Sequence, residues 1–225
     1  MEIETIHRWD VTPKKAIMLQ ESLRKRVVIK DCLKKIELVG GCDISYNKKS
    51  KIGCASVVIF SYPDLNLIEK IAVRDEIRFP YIPGLLTFRE GSLLISAFSK
   101  VKSIPDCVIF DGQGIAHPRG LGIASHIGVW LNLPTIGCAK SRLVGKYDEV
   151  GIHRGESSPL YFENRLIGYV LRTKDRVKPV FVSPGHKIDF KKSVEVVIGC
   201  CKSYRLPEPT RIAHTLSKTG NVNHE

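Results

Sequence analysis

The feature that most constrains this chain is a short apolar run that ends in a carboxylate. Residues 107–110 read Cys-Val-Ile-Phe, a pattern that predicts a buried β-strand, and Asp111 follows directly. Glycine, glutamine and glycine come next, and a His-Pro-Arg triplet at 117–119 follows them. In an α/β sheet, ligands bind beyond the carboxyl ends of the strands, where glycines let the backbone approach a bound group. Asp111 is therefore a candidate metal ligand, although an aspartate that starts a turn would explain the same position.

The charge balance favours a polyanionic partner. The 225 residues hold 35 Lys and Arg against 23 Asp and Glu, which gives a formal net charge of +12. Nucleic acid is the most common partner of so basic a chain. Runs of charge are usually solvated surface, so the balance supports nucleic-acid binding without establishing it.

Length and cysteine usage indicate one domain in a reducing compartment. No break in composition divides residues 1–225, so we expect a single domain, and a monomer. The sequence shows no basic-then-apolar leader and no apolar stretch of membrane length, which predicts a cytoplasmic protein with no membrane partner. The seven cysteines form no Cys-x-x-Cys pair and mostly lie in apolar runs, so we expect reduced, buried thiols.

Hydrophobic periodicity and turn residues predict an α/β fold. A helix begins at Pro13, capped by Thr12, and continues to about residue 28. Short turns join three strands that predict an antiparallel meander, at Leu38–Tyr46, 52–62 and 67–77. Helices and strands then alternate, at 85–101, 107–111, 120–131 and Thr135–Ala139, before a hairpin at 159–172, a strand at 180–182 and helices at 189–202 and 208–218. A meander followed by βαβ units describes a mixed sheet with helices packed on it, compatible with the ribonuclease H-like fold.

Two further carboxylates break the pattern of their own elements. Glu90 lies on the apolar stripe of the helix predicted at 85–101. A charged glutamate that faces the core needs a partner, which is either an arginine such as Arg89 or a metal ion. Asp43 interrupts a strand whose other face is apolar, against the propensity of aspartate. Because hard divalent cations take oxygen ligands, Asp43, Glu90 and Asp111 are candidate ligands of one cation.

Three other residues have both a functional and an ordinary interpretation. Lys140 follows the apolar run Thr135–Ala139, so it either meets a phosphate or is solvated. His214 points away from the apolar side of the helix predicted at 208–218, which is typical of an exposed histidine. Tyr81 lies on a loop that two prolines stiffen, where it either wedges between bases or packs at the start of the helix.

Together these segments resemble the endonuclease V family, nucleases that recognise deaminated adenine. The resemblance runs in order through nearly the whole chain, and every motif position is intact. The N-terminal helix, residues 145–157 and the tail after 218 carry no clear motif. The matching segments are 43–45 (Asp-Ile-Ser), 80–90 (Pro-Tyr-Ile-Pro-Gly-Leu-Leu-Thr-Phe-Arg-Glu), 110–119 (Phe-Asp-Gly-Gln-Gly-Ile-Ala-His-Pro-Arg), 122–126, 134–140, 182–186 and 207–214.

The resemblance implies a ribonuclease H-like fold and a Mg²⁺ site in which Mn²⁺ often substitutes. Asp43 and Asp111 would bind the metal, and Glu90 would act at it directly or through water. Lys140 would add a cation near the scissile phosphate, and His214 would position water or move a proton. These five residues are the expected catalytic group.

The resemblance also implies how a lesion would be bound. Tyr81 corresponds to a wedge that separates the bases next to the lesion. The pocket for the flipped base would be formed largely by backbone around Gly84, Leu86, Gly122 and Ile123. Flipping costs a few kcal/mol, and least for a mispaired base, which itself contributes selectivity.

The implied activity is that of a DNA-repair endonuclease acting on DNA with deaminated bases. Family members nick the strand at the second phosphodiester bond 3′ of deoxyinosine and leave a 3′-hydroxyl and a 5′-phosphate. The alternative is an inosine-specific endoribonuclease. The preference for DNA or RNA depends on contacts to the 2′-hydroxyl, and none of the motifs indicates such contacts. A non-catalytic binding module would be expected to lack one of the three carboxylates, and a metabolic phosphohydrolase would not need the wedge.

Overall fold

The computed structural model describes residues 3–220, so residues 1–2 and 221–225 of the expected domain lie outside the described part. Five α-helices and eight β-strands follow one another in the described chain. In chain order they are α1 (Pro13–Leu23), β1 (Leu38–Tyr46), β2 (Ile52–Ser61), β3 (Leu67–Glu76), α2 (Leu86–Ser99), β4 (Cys107–Phe110), α3 (Ile123–Leu131), β5 (Thr135–Ala139), β6 (Ser157–Phe162), β7 (Arg165–Leu171), β8 (Val180–His186), α4 (Phe190–Gly199) and α5 (Glu208–Thr219).

The strands form one mixed sheet in the order β3-β2-β1-β4-β5-β8-β7-β6. Strands β1, β2 and β3 are the predicted antiparallel meander. Strand β4 then pairs in parallel with β1, and β5 in parallel with β4, so the carboxyl ends of β1, β4 and β5 lie at the same edge. Strands β8, β7 and β6 extend the far side in antiparallel pairing. This arrangement puts three strand ends that carry polar residues next to one another.

Helices cover both faces of the sheet because alternate residues of the central strands are apolar on both sides. Phe110 packs with α2 and α3 on one face, while Ile109 packs with α4 and α5 on the other. Both side chains are almost fully buried. Helix α5 crosses β1 and β2, which brings its polar side to the edge where β1 ends.

Two boundaries differ most from the sequence-based expectation. Strand β8 continues from Val180 to His186, four residues beyond the predicted strand at 180–182. Proline and glycine at 184 and 185 argue against a strand interior, but β8 pairs with β5 across a register shift there, and the Pro184 carbonyl accepts from the Ile115 amide. The first helix ends at Leu23 and passes into a 3₁₀ turn at Arg24–Arg26, short of residue 28.

The state of the cysteines agrees with the sequence. All seven cysteines are free, and every one except Cys32 is buried, as predicted. Within residues 3–220, no helix combines the length and the apolar character that crossing a bilayer requires.

Candidate active site

Two carboxylates meet where β4 ends beside the middle of β1. The parallel register pairs Cys42 with Phe110, so the next positions along the two strands hold Asp43 and Asp111. His214 reaches the same point from α5. One donor atom from each of these three side chains lies within 4.8 Å of the other two. The topology thus brings together three predicted site residues that are far apart in the sequence.

Asp43 is held by two donors from α5. Its Oδ2 atom lies 3.1 Å from His214 Nδ1 and accepts a 2.7 Å hydrogen bond from Ser217 Oγ. His214 and Ser217 are three residues apart and therefore lie on one side of the helix. A carboxylate only accepts hydrogen bonds, so Nδ1 of His214 carries the proton and Nε2 remains free to accept one. The histidine is half-exposed, but it is not the unattached surface histidine of the ordinary interpretation.

Glu90 lies beside this group and inside the fold. It lines a cavity of about 190 Å³ together with Asp43 and Asp111. Burial, with the charge of Asp43 next in weight, raises the pKa of Glu90 to about 8, and Asp111 adds to this rise while Arg89 opposes it. Among the described residues Glu90 forms no salt bridge. The Arg89 guanidinium instead donates to the Phe79 carbonyl and lies 4.2 Å from the centre of the Tyr46 ring.

The chemistry of this donor set fits a hard divalent cation. Asp43 and Asp111 supply carboxylate oxygens within one ion's reach, and the His214 imidazole lies beside them. Burial is the main cause of the raised pKa of Glu90, and the negative charges of Asp43 and Asp111 add to it, while only Arg89 opposes the rise. A bound cation would add positive charge to this group. Glu90 lies outside the group whose donor atoms are all within 4.8 Å, so its geometry suits a water-mediated contact better than a direct one.

Lys140 places a positive charge at the outer side of the group. It follows β5 directly, and its Nζ atom forms a close ion pair with Oδ2 of Asp111. The lysine side chain remains partly exposed, so it can also face a ligand above the sheet edge.

A larger cavity opens next to the acidic group. It measures about 350 Å³, within the range of roughly 300–1,000 Å³ typical of small-ligand sites. The two cavities have Leu86, Asp111 and Ile123 in common. The wall of the larger cavity includes Lys140 and all the residues expected to bind the lesion, which are Tyr81, Gly84, Leu86, Gly122 and Ile123. The Tyr81 side chain is 70% exposed, which excludes the interpretation as a core tyrosine.

Three hydrogen bonds hold the loop that carries Gly84. The Gly84 carbonyl accepts them from Gln20 Nε2 at 2.9 Å, His117 Nε2 at 3.1 Å and Arg119 Nη2 at 2.7 Å. Burial, reinforced by Arg119, lowers the pKa of His117 to about 4, so this imidazole is neutral at pH 7. Gly84 itself has φ +78°, a conformation that favours glycine. Gln20 is buried on α1, in the part of the chain without a motif, and nothing in the sequence pointed to it.

The backbone also shapes the opposite wall of the larger cavity. A side chain at Gly122 would place its Cβ 2.3 Å from the Gln113 carbonyl oxygen, so only glycine fits there. Gly122 is the residue at which α3 begins. The expectation of a pocket built largely from backbone is consistent with this close approach.

Comparison with known proteins identifies the family. The sequence model of the family described as Endonuclease V matches residues 21–215. The chain belongs to the endonuclease V family. The endonuclease V of Dehalococcoides mccartyi is 50% identical over 214 residues, which cover 95% of this chain and 96% of that relative.

Solved endonuclease V structures share the fold. The crystal structure of the Streptomyces avermitilis endonuclease V superposes with a TM-score of 0.90 at 36% identity, covering 94% of each chain. The Ciona intestinalis endonuclease V, in complex with a 24mer DNA containing an inosine followed by a ribo-adenosine, gives a TM-score of 0.82 at 28% identity and covers 92% of this chain and 96% of that one. The predicted ribonuclease H-like fold is therefore confirmed, and so is membership of a nuclease family.

Proposed function

We propose that this endonuclease V is a Mg²⁺-dependent DNA-repair enzyme that nicks a strand at the second phosphodiester bond 3′ of deoxyinosine. Mn²⁺ would substitute for Mg²⁺, and the products would carry a 3′-hydroxyl and a 5′-phosphate. The observation that carries the proposal is the shared wall between the two cavities. A base-sized cavity and an acidic metal site that both include Asp111 suit recognition and cleavage of one strand.

Tyr81 and the larger cavity would perform recognition. An exposed aromatic ring on a proline-stiffened loop can enter the base stack and compensate for the unstacking of the extruded base. Three donors fix the Gly84 carbonyl, so the loop can present a defined edge to the base. Hypoxanthine and adenine differ in the hydrogen-bond donors and acceptors on their edges. Fixed backbone groups in the cavity would pair with only one of these two patterns and so distinguish the bases.

The acidic group would perform cleavage. Asp43 and Asp111 would hold the metal, and Glu90 would hold a water at it. When bound, the divalent cation lowers the pKa of water and neutralises charge on the phosphate. His214 keeps Nε2 free because Nδ1 donates to Asp43, so Nε2 can take a proton from the attacking water. Lys140, next to Asp111, would stabilise the negative charge that grows on the phosphate oxygens.

An inosine-specific endoribonuclease is the second candidate. The strand in the Ciona intestinalis complex contains a ribo-adenosine directly after the inosine. That relative therefore binds a strand that has a ribonucleotide next to the inosine. The 2′-hydroxyl of an RNA strand is then no obstacle in principle, and strand preference becomes a measurable property of this chain.

The proposal is tested with end-labelled strands that carry one inosine, made as DNA and as RNA, beside strands with adenine at that position. We expect a single nick at the second bond 3′ of inosine with Mg²⁺, and none with EDTA. The sugar of the better-cleaved strand decides between the two candidates. Cutting at adenine as fast as at inosine, or cutting that persists in EDTA, would contradict the proposal.

A further inference from the structure

A third cavity lies further along the same sheet edge, and it is strongly basic. It is a shallow depression of about 530 Å³, open to solvent, and it is formed by the end of β1, the β1–β2 turn and the last turn of α5. Its wall holds three lysines and no carboxylate; the lining residues are Ser45, Tyr46, Asn47, Lys48, Lys49 and Lys218. None of the three lysines forms a salt bridge with another residue of the described part of the chain. We call this site the lysine cavity.

The lysine cavity and the acidic group are built on neighbouring residues of β1 and α5. Ser45 lies two residues after Asp43, on the same face of β1, and its Oγ donates to the Ser217 carbonyl at 2.6 Å. Lys218 follows Ser217, whose hydroxyl bonds to Asp43, and lies four residues after His214. The same strand and the same helix therefore supply both the acidic group and the wall of the lysine cavity.

The turn that carries two of the lysines is ordered by its own hydrogen bonds. The side-chain Oδ1 of Asn47 accepts from the Lys49 amide at 2.9 Å and from the Ser50 amide at 3.3 Å. The Asn47 amide donates to the Ile52 carbonyl at 2.9 Å. Tyr46, at the base of the turn, is stacked under the Arg89 guanidinium, which adds a positive charge behind the cavity.

The three sites follow one another along the edge in the order of the strands. The base-sized cavity lies at the ends of β4 and β5, the acidic group between the end of β4 and the middle of β1, and the lysine cavity at the end of β1 and its turn to β2. A strand with its extruded base in the first site and its cleaved bond at the second continues toward the third. Because cleavage is proposed 3′ of the lesion, the segment that reaches the lysines is the 3′ side of the cleaved bond.

We propose that the lysine cavity binds the phosphodiester backbone of the strand 3′ of the cleaved bond, with Lys48, Lys49 and Lys218 contacting its phosphates. This inference rests on the proposed function, since that function sets the direction of the strand. The ligand chemistry is the phosphodiester itself, in DNA or RNA. Such contacts position the strand without reading its bases.

The test compares binding of two strands that share a 5′ arm and one inosine. The short strand ends one nucleotide past the proposed bond, and the long strand continues for about ten nucleotides more, so that only the long one can reach the lysine cavity. Affinities are measured by fluorescence anisotropy in EDTA, where nothing is cleaved, with each strand made as DNA and as RNA. The variant Lys48→Ala/Lys49→Ala is compared with the native chain, and Lys218→Ala is measured separately.

The matched control is Lys100→Ala/Lys102→Ala. These exposed lysines follow the end of α2 and precede β4, so they lie at the opposite edge of the sheet, where β4 begins. The control removes the same charge and changes the same residue type. It therefore separates a loss of local contacts from a general loss of positive charge.

We expect the native chain to bind the long strand more tightly than the short one. In Lys48→Ala/Lys49→Ala that advantage falls about tenfold at low salt, and the slope of log affinity against log salt becomes shallower by about 1 to 1.5. Binding of the short strand stays unchanged, and the control keeps the native advantage. An equal loss on both strands, a native chain indifferent to the 3′ arm, or a control that matches the variant would overturn the inference.

This experiment separates the two proposals. If the native chain discriminates inosine and cleaves it, yet the lysine variant keeps the full advantage of the long strand, only the lysine cavity is wrong. If the native chain neither prefers nor cuts inosine strands, the proposed function fails, and the direction of the strand fails with it.

Discussion

At the scale of single residues, Asp43 offers the sharpest test of the acidic group, because both His214 and Ser217 bind its carboxylate. Its Oδ2 accepts hydrogen bonds from His214 and Ser217, and its other oxygen remains available to a cation. We expect Asp43→Asn to slow cleavage at least 10²- to 10³-fold, the size of effect seen when one electrostatic contribution to a transition state is lost. Inosine binding in EDTA should change little, because Asp43 does not line the base-sized cavity. A parallel loss of binding and cleavage in a folded variant would contradict this division.

Ser217 is a positioning residue whose effect should pass through Asp43. Its hydroxyl is buried and donates to the carboxylate at 2.7 Å, a bond to a charged group that is worth about 1.5–3 kcal/mol. We expect Ser217→Ala to lower the single-turnover rate by about tenfold and to raise the Mg²⁺ concentration needed for half-maximal rate. Ser217→Thr, which keeps the hydroxyl, should recover most of the loss. A loss of thermal stability with unchanged Mg²⁺ dependence would instead indicate a purely structural role.

Tyr81 tests recognition separately from cleavage. Its ring is exposed, so its removal leaves no cavity in the core. We expect Tyr81→Ala to reduce the preference for inosine over adenine by about tenfold, since stacking on one base is worth about 1–3 kcal/mol, while the salt dependence of binding stays the same. Tyr81→Phe should keep the native preference. Unchanged discrimination in Tyr81→Ala would reject the wedge.

Sequence reasoning at the residue scale succeeded where the signal was local. Asp43, Glu90 and Asp111 each violate the pattern of their own strand or helix, so each stands out without any knowledge of the fold. Ser217 and Gln20 violate nothing, since a serine or a glutamine on a helix is ordinary. Their importance arises from contacts with residues 174 and 64 positions away, and such contacts exist only in the folded chain.

At the scale of elements, periodicity predicted the order of helices and strands, and its failure at β8 has a physical cause. The bounds of β1 and β5 were predicted to the residue because a polar residue, a turn residue or a proline stands directly on either side of each strand. At the end of β8, tertiary pairing overrides the local preference of proline and glycine against strands. The order β3-β2-β1-β4-β5-β8-β7-β6 could not be read from any single element, because pairing partners are chosen by the whole sheet.

Helix α1 carries no family motif, yet it holds the base-sized cavity in shape. Buried Gln20 donates to the Gly84 carbonyl and accepts from Arg119 Nε at 2.6 Å. We expect Gln20→Leu to weaken inosine binding by about tenfold, since it leaves the half-buried Nε of Arg119 without its partner, at a cost of about 1.5 kcal/mol. The maximal single-turnover rate should stay close to native, because the acidic group is untouched. Glu21→Ala, on the exposed side of α1, is the control that should bind normally.

At the scale of the whole molecule, the net charge is positive, whereas the charge in the central cavity is negative. The chain carries a net charge of +12, while its centre crowds Asp43, Glu90 and Asp111 into one cavity. The outer charge attracts a polyanion over about a Debye length and weakens with salt. The inner charge attracts a small cation and repels the phosphate until that cation is bound. We therefore infer that strand binding and metal binding favour each other in this chain.

Buried histidines make the stability of the whole fold depend on pH. Burial lowers the pKa of His186 to about 4, with Lys187 and Arg26 adding to the effect, and the pKa of His117 is about 4 as well. Between pH 6.5 and 4 the unfolded chain therefore binds more protons than the folded one, so the free energy of unfolding falls on acidification, by at most about 3 kcal/mol for each histidine. Glu90 has the opposite sign, because its raised pKa favours the folded state below pH 8.

A histidine variant isolates this effect from that of Glu90. His186 accepts a hydrogen bond from the Val28 amide, which the side-chain oxygen of a glutamine can also accept. We expect His186→Gln to lose less stability than the native chain when urea unfolding in EDTA is compared at about pH 7 and pH 5, by about 1–3 kcal/mol. The exposed His153, replaced by Gln, should leave the native pH dependence unchanged. Parallel curves for His186→Gln and the native chain would show that the folded state protonates His186 as readily as the unfolded chain does.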